Sequence, residues 1–197
     1  MTAYTMIWHE RAPNKHALTL RPSPLLADVA GYSRLMGEDA EGTHERLKTH
    51  LRELVEPKVK EHHGHTVKNT GDGMLVEFGN VVDAVRCAAE IQQAMIDRNA
   101  DTPEDKRTRF RIGVNLGDVI VEQNDLFGDV NLAARLEALA EPGGICISRM
   151  VRDEIRTEAG PRPKLQQVTV ITGEDTRRGV YFGAPTKISF NVSTSEA

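Results

Sequence analysis

Apolar positions along this chain follow two rhythms. Between residues 43 and 62, Leu47, Leu51, Leu54 and Val55 recur at spacings of three and four, which predicts a helix with one apolar face. Gly64 follows as a stop signal. A second stripe of this kind, Ala84, Val85, Ala88, Ile91 and Met95, predicts a helix over 81–99. Between the two helices, 65–68 and 74–78 read as short extended runs around NTGDG (69–73), whose Gly-Asp-Gly core predicts a hairpin turn. Residues 109–115 alternate, with Phe110, Ile112 and Val114 facing one way. Gly117 and Asp118 then turn the chain, and 119–122 return as a strand. A helix over 130–140 ends at Pro142, Gly143 and Gly144, a strand takes 145–148, and 150–155 begin a last helical piece.

Upstream, 24–28 reads as a short first strand. Its prolines are awkward there, because proline cannot donate to a central ladder. Residues 1–23 sustain no period and read as an irregular extension. The order is therefore βαββαβ, an α+β fold on the ferredoxin-like plan, over a domain of 24–156. The segment 157–197 is expected to add C-terminal strands: a hairpin of 168–172 with 180–182 around 173–179, and a further strand at 187–192.

Composition narrows the function classes. A length of 197 residues suits one domain with modest extensions, and 39% hydrophobic with 27% charged residues can build an ordinary core. The net charge of -4, with signs interleaved, offers no basic field for nucleic acid. No apolar run approaches the roughly 20 residues of a membrane helix. The N-terminus has no signal-peptide core, so no membrane partner and a cytoplasmic location are expected. Cys87 and Cys146 both sit in apolar surroundings and read as buried free thiols in a reducing compartment.

On this topology the first strand lies beside the third. Asp28, at the end of the first strand, is thereby brought towards Asp72, at the hairpin tip. Paired carboxylates suit a hard cation such as Mg²⁺, with nucleotide phosphates completing its shell. The same residues also read more plainly, Asp28 as a cap and Asp72 as a turn residue. His62, His63 and His65 straddle a helix end without the paired spacing of a zinc site, and the cation-favouring C-terminus of a helix accounts for them.

Four motifs add to this reading. ADVAGYSRLM (27–36) resembles the opening motif of class III adenylate and guanylate cyclases, and VKNTGDGMLVEF (67–78) resembles that family's hairpin. FRIGVNLGD (110–118) is similar to its central strand and turn, and DLFGDVNLAARLE (125–137) to its transition-state helix. They occur in family order over about 25–155, with the closest likeness to the bacterial type. The resemblance implies that Asp28 and Asp72, with the Val29 carbonyl, hold two Mg²⁺ or Mn²⁺ ions. It implies that the ribose 3′-oxygen of ATP attacks the α-phosphorus in line, giving cyclic AMP and pyrophosphate. Asn131 would orient the ribose and Arg135 would stabilise charge on the α-phosphate. Lys68 and Asp125 match the family's adenine-selecting pair. A lysine donates to adenine N1 and a carboxylate accepts from its N6 amine, whereas guanine reverses that need. The family's site forms across a dimer interface, which implies a homodimer with two sites.

The chain departs from the family in three places. Asp125 to Asn131 is one residue short, with the gap falling in 128–130. Residues 1–24 lack the usual smooth first strand, and the stretch after about Ile155 lacks the closing strands and their phosphate-binding lysine. These departures keep a second reading in view, a catalytically silent cyclase-fold module that dimerises or binds nucleotide without turnover.

Overall fold

In the computed structural model the described residues are 23–117, 119–122, 125–128, 130–158 and, towards the C-terminus, 168–170, 173–176, 179–182 and 186–188. Nearly all of the predicted N-terminal extension lies outside them. The chain opens with β1 (Ser23–Val29), α1 (Tyr32–Glu38), α2 (Ala40–His50) and α3 (Glu56–Glu61). The hairpin of β2 (His65–Asn69) and β3 (Gly73–Phe78), then α4 (Val81–Arg98) and β4 (Phe110–Val114), complete the βαββαβ unit. After it come β5 (Val119–Glu122), β6 (Asp125–Gly128), α5 (Val130–Leu139), β7 (Ile145–Ile147) and α6 (Arg149–Glu158).

Strand alternation determines the layers. Leu25, Ala27 and Val29 of β1, Met74, Val76 and Phe78 of β3, and Phe110, Ile112 and Val114 of β4 are all buried on one face. Against that face lie Leu35 of α1, Leu47 of α2, Val59 of α3, the α4 stripe, and Val151 and Ile155 of α6. Each large side chain fully buried here contributes roughly 1.5–3 kcal/mol relative to exposure. The strands order as β2-β3-β1-β4-β7, antiparallel throughout except for the parallel β4–β7 pair. The first four follow the ferredoxin-like order expected from the sequence.

Three local features have physical reasons of their own. Pro24 does sit in the central strand. Its carbonyl accepts from Asn115 N at 3.0 Å, so its backbone edge faces β4 just past the last β4 residue, where a missing N–H breaks no ladder bond. The helical stretch predicted from 43 starts earlier, at Ala40, because the Asp39 carboxylate caps it by accepting from Gly42 N at 2.9 Å. That stretch also runs through Pro57. A π-turn at Leu51–Val55 widens the helix just ahead of it, so the ring and the lost N–H are absorbed. At its end, His63 takes the left-handed conformation (φ 57°) and Gly64 N returns to Val59 O at 2.7 Å. His62 Nε2 lies 3.2 Å from a Glu90 carboxylate oxygen.

The C-terminal strands pair differently from the expected hairpin. β8 (Val168–Val170) pairs with β11 (Thr186–Ile188), while β9 (Gly173–Thr176) and β10 (Gly179–Phe182) form the tight hairpin between them. The short loop favours the nearest partner, so β10 pairs with β9 rather than with the more distant β8.

Cys87 and Cys146 are fully buried and unbonded to one another. Burial pushes both thiols up to about 12. The native protein is therefore expected to resist maleimide at pH 8 and to label at both cysteines once unfolded, as mass spectrometry would read out. Fast native labelling would contradict this packing.

Candidate active site

The second face of the sheet carries the polar chemistry. Because Leu25, Ala27 and Val29 point into the core, Leu26 and Asp28 point the other way. By the same alternation Arg111 and Gly113 of β4 share the face of Asp28. The register places Asp28 opposite both Gly73 and Arg111. Val29 N donates to Asp72 O at 3.1 Å, which ties the end of β1 to the turn before β3. Gly73 makes this approach possible: a Cβ there would stand 2.0 Å from Ala27 O.

Helix α5 covers this face. Leu136 and Ala140 pack on Cys146, and Val130 packs with Leu75. A Cβ on Gly113 would meet Ala133 O at 2.2 Å and Glu137 N at 2.4 Å, so the glycine lets the helix backbone rest on β4. Glu137 is consequently buried against the sheet. Arg111 bridges the two layers. Its Nη2 lies 2.5 Å from Asp28 Oδ2 and 3.0 Å from Glu137 Oε1. The second contact is an ion pair without hydrogen-bond alignment, which leaves Glu137 Oε1, Asp28 Oδ1 and Arg111 Nε buried with no hydrogen-bond partner. Burial pushes the Glu137 carboxyl up to about 7. The charges of Asp28 and Asp72 act in the same direction, and Arg111 opposes them.

The expected site residues fall into three sets. Asp28, Val29 and Asp72 meet at the end of β1 and the β2–β3 turn. Lys68 is exposed on β2, after a register shift between Thr66 and Lys68, and β6, which Asp125 opens, lies against β2. Asn131 and Arg135 are exposed on α5, four residues apart, on the side turned away from Gly113. The helix runs unbroken over Val130–Leu139, so Asn131 and Arg135 stand about one turn apart on it. Among the described residues, no hydrogen bond or ion pair joins Asn131 or Arg135 to Asp28 or Asp72. Two concavities of about 320 and 280 Å³ lie along α4 and α2, and none of these residues lines either one.

Sequence reading passed over two residues, Arg111 and Glu137. Both lie inside the quoted motifs. Period-two alternation puts Arg111 on the face of Asp28, and the buried positions 130, 133, 136 and 140 put Glu137 on the inner side of its helix. What sequence alone lacks is the register that makes them neighbours.

The donor set fits a hard divalent cation in part. Among the described residues no group of three His, Cys, Asp or Glu side chains could hold a metal ion. Two carboxylates, one of them with a buried oxygen that lacks a donor, match an ion that draws its remaining ligands from water and substrate phosphates.

Comparison with known proteins gives the family and the fold. A family model described as the adenylate and guanylate cyclase catalytic domain matches residues 23–179. A Rhizobium meliloti (strain 1021) protein, provisionally named adenylate cyclase 3, is 54% identical over 132 residues, covering 66% of this chain and 22% of that protein. The chain thus spans about a fifth of the length of the curated relatives it matches. The crystal structure of an adenylate/guanylate cyclase/hydrolase from Silicibacter pomeroyi superposes with a TM-score of 0.66 at 44% identity, covering 76% of this chain and 91% of that one. The adenylyl cyclase CyaB from P. aeruginosa shares the fold, with a TM-score of 0.60 at 23% identity over 75% of this chain and 87% of its own. Among the described residues, no helix is long and apolar enough to cross a membrane.

Proposed function

Since the chain belongs to the adenylate and guanylate cyclase catalytic domain family, we propose that it is an adenylate cyclase, converting ATP to 3′,5′-cyclic AMP and pyrophosphate at sites formed between two copies of the chain. The observation that carries this reading is the meeting of Asp28 and Asp72 beside an undonated buried oxygen, on the same sheet face as a helix that presents Asn131 and Arg135 outward.

Asp28, Asp72 and the Val29 carbonyl would hold two Mg²⁺ or Mn²⁺ ions, which would supply neutralisation of phosphate charge and easier loss of the ribose 3′-proton. The chain's own side chains do the rest by position. Arg111 keeps Nε free of any acceptor beside the carboxylates and offers a donor to an anionic phosphate. Asn131 and Arg135 come from the partner copy, Asn131 orienting the ribose and Arg135 meeting charge that grows on the α-phosphate. Exposure of both residues on α5 supports this assignment in trans. Lys68 and Asp125, on strands that lie against one another, select adenine. We place the reaction in the cytoplasm, where ATP and Mg²⁺ are supplied. The silent-module reading draws on the short stretch before Asn131, while the presence of Asn131 and Arg135 one turn apart on a single helix supports turnover.

Purified protein with Mn²⁺ and ATP is expected to form cyclic AMP, with GTP a much poorer substrate. Specific activity is expected to fall on dilution as the dimer dissociates. Nucleotide binding without product, in a folded dimer, would establish the silent module instead. Specific activity that holds constant down to a demonstrated monomer would overturn the shared site.

A further inference from the structure

The following rests on the metal assignment above and concerns Glu137, the only acidic residue of α5. Arg111 poses a problem for metal loading. Its guanidinium sits 2.5 Å from Asp28 Oδ2 and so occupies an oxygen that a divalent ion needs. For the ion to bind, Arg111 must withdraw. A guanidinium that withdraws into a half-buried site without a counter-charge loses its pairing energy and stays desolvated. A second carboxylate is already waiting. Glu137 Oε1 is 3.0 Å from the same Nη2, is buried, and lacks a hydrogen-bond donor in the present arrangement. Its backbone is seated on β4 by the space at Gly113, so the carboxylate holds its place while the arginine moves. The unspent Nε of Arg111 completes the picture of a guanidinium lodged between two seats and fully satisfied by neither.

We propose that Glu137 is a positioning residue that takes the Arg111 guanidinium off Asp28 when divalent cations bind, so that metal loading exchanges an Asp28–Arg111 pair for an Arg111–Glu137 pair. Glu137 touches neither metal nor nucleotide in this role and acts only through Arg111. The exchange leaves both Asp28 oxygens available and keeps the arginine charge beside the place where phosphates arrive.

The test is Mn²⁺ binding to nucleotide-free protein, read from the electron paramagnetic resonance signal of free Mn²⁺, in wild type, Glu137→Gln, Arg111→Gln and the double variant. Glu137→Gln is expected to weaken binding by about tenfold, the scale on which outer-shell partners act on a metal site. Arg111→Gln removes the competitor and is expected to tighten binding. Adding Glu137→Gln to Arg111→Gln is then expected to change affinity by less than about twofold, because the residue through which Glu137 acts is gone. A purely structural Glu137 would lower the melting temperature and leave Mn²⁺ affinity unmoved, which would overturn the proposal. An equal loss in both backgrounds would overturn it too, since Glu137 would then act on the ion by its own charge. If Glu137→Gln does not fold, Glu137→Asp serves: the charge is kept and the reach shortened, so a loss that depends on Arg111 is still required. Asp28→Asn separates the two levels. Binding that survives it sinks the metal assignment and the exchange together. Binding lost there but indifferent to Glu137→Gln sinks the exchange alone.

Discussion

Asp72→Asn is expected to remove cyclic AMP formation, lowering kcat by at least about a thousandfold, the loss that follows when several kcal/mol of charge stabilisation goes. Asparagine is nearly isosteric with aspartate, so the substitution isolates charge from shape. The turn does not depend on that charge. Thr70 N donates to Gly73 O at 2.9 Å and Val29 N to Asp72 O at 3.1 Å, and both bonds use backbone that asparagine keeps. Asp72 is partly exposed, so no buried ion pair is broken. The melting temperature is therefore expected to stay within about 2 °C of wild type, as for other surface changes away from caps and cores. The decisive measurement is turnover with saturating Mn²⁺ beside a thermal melt. Persistent activity in a folded variant would remove Asp72 from the metal set.

Arg135→Ala carries the second largest expectation, a fall in kcat of roughly a hundredfold or more, with KM changed far less. An arginine that meets charge only as it develops on the α-phosphate contributes to the transition state and little to the ground state. Arg135 is exposed on α5, so its removal leaves no buried cavity. The two variants also test each other. If one copy supplies Asp72 and the other Arg135, a mixed dimer of the two variants contains one site with both residues intact. Equal mixing makes about half the dimers mixed, so activity should recover to about a quarter of wild type. A mixture as inactive as its parts would place both residues in one chain's site, and the exposed face of α5 would need another explanation.

The contrast between Arg135 and Glu137 shows how far sequence reading reached. Two residues apart, they lie on opposite sides of α5. Helical spacing alone predicts that separation. It cannot say that the inner side meets Asp28, because Asp28 and Arg111 are 83 residues apart in the chain and become neighbours only through strand register. Nothing local therefore marks Glu137 as part of the site until the sheet face beneath it is known.

The same division runs through the fold. The sequence by itself determined which stretches are strands and which are helices wherever side-chain period is strong: the core face of β4 and the stripe of α4. Those patterns are local consequences of backbone geometry and need no partner to be legible. It also determined the candidate chemistry, because the four motifs keep their residues and order. Tertiary structure decided the rest. Pro24 entered the central strand because its bare nitrogen falls where β4 has ended. The first long helix passed Pro57 because a π-turn made room for it. Arg111 came to lie between Asp28 and Glu137 because two glycines without side chains, Gly73 and Gly113, let strand meet strand and helix meet sheet closely enough for three charged groups to share one face. Close approach of that kind is a property of the packed layers, whose contacts join residues far apart in the chain, and no local period records it.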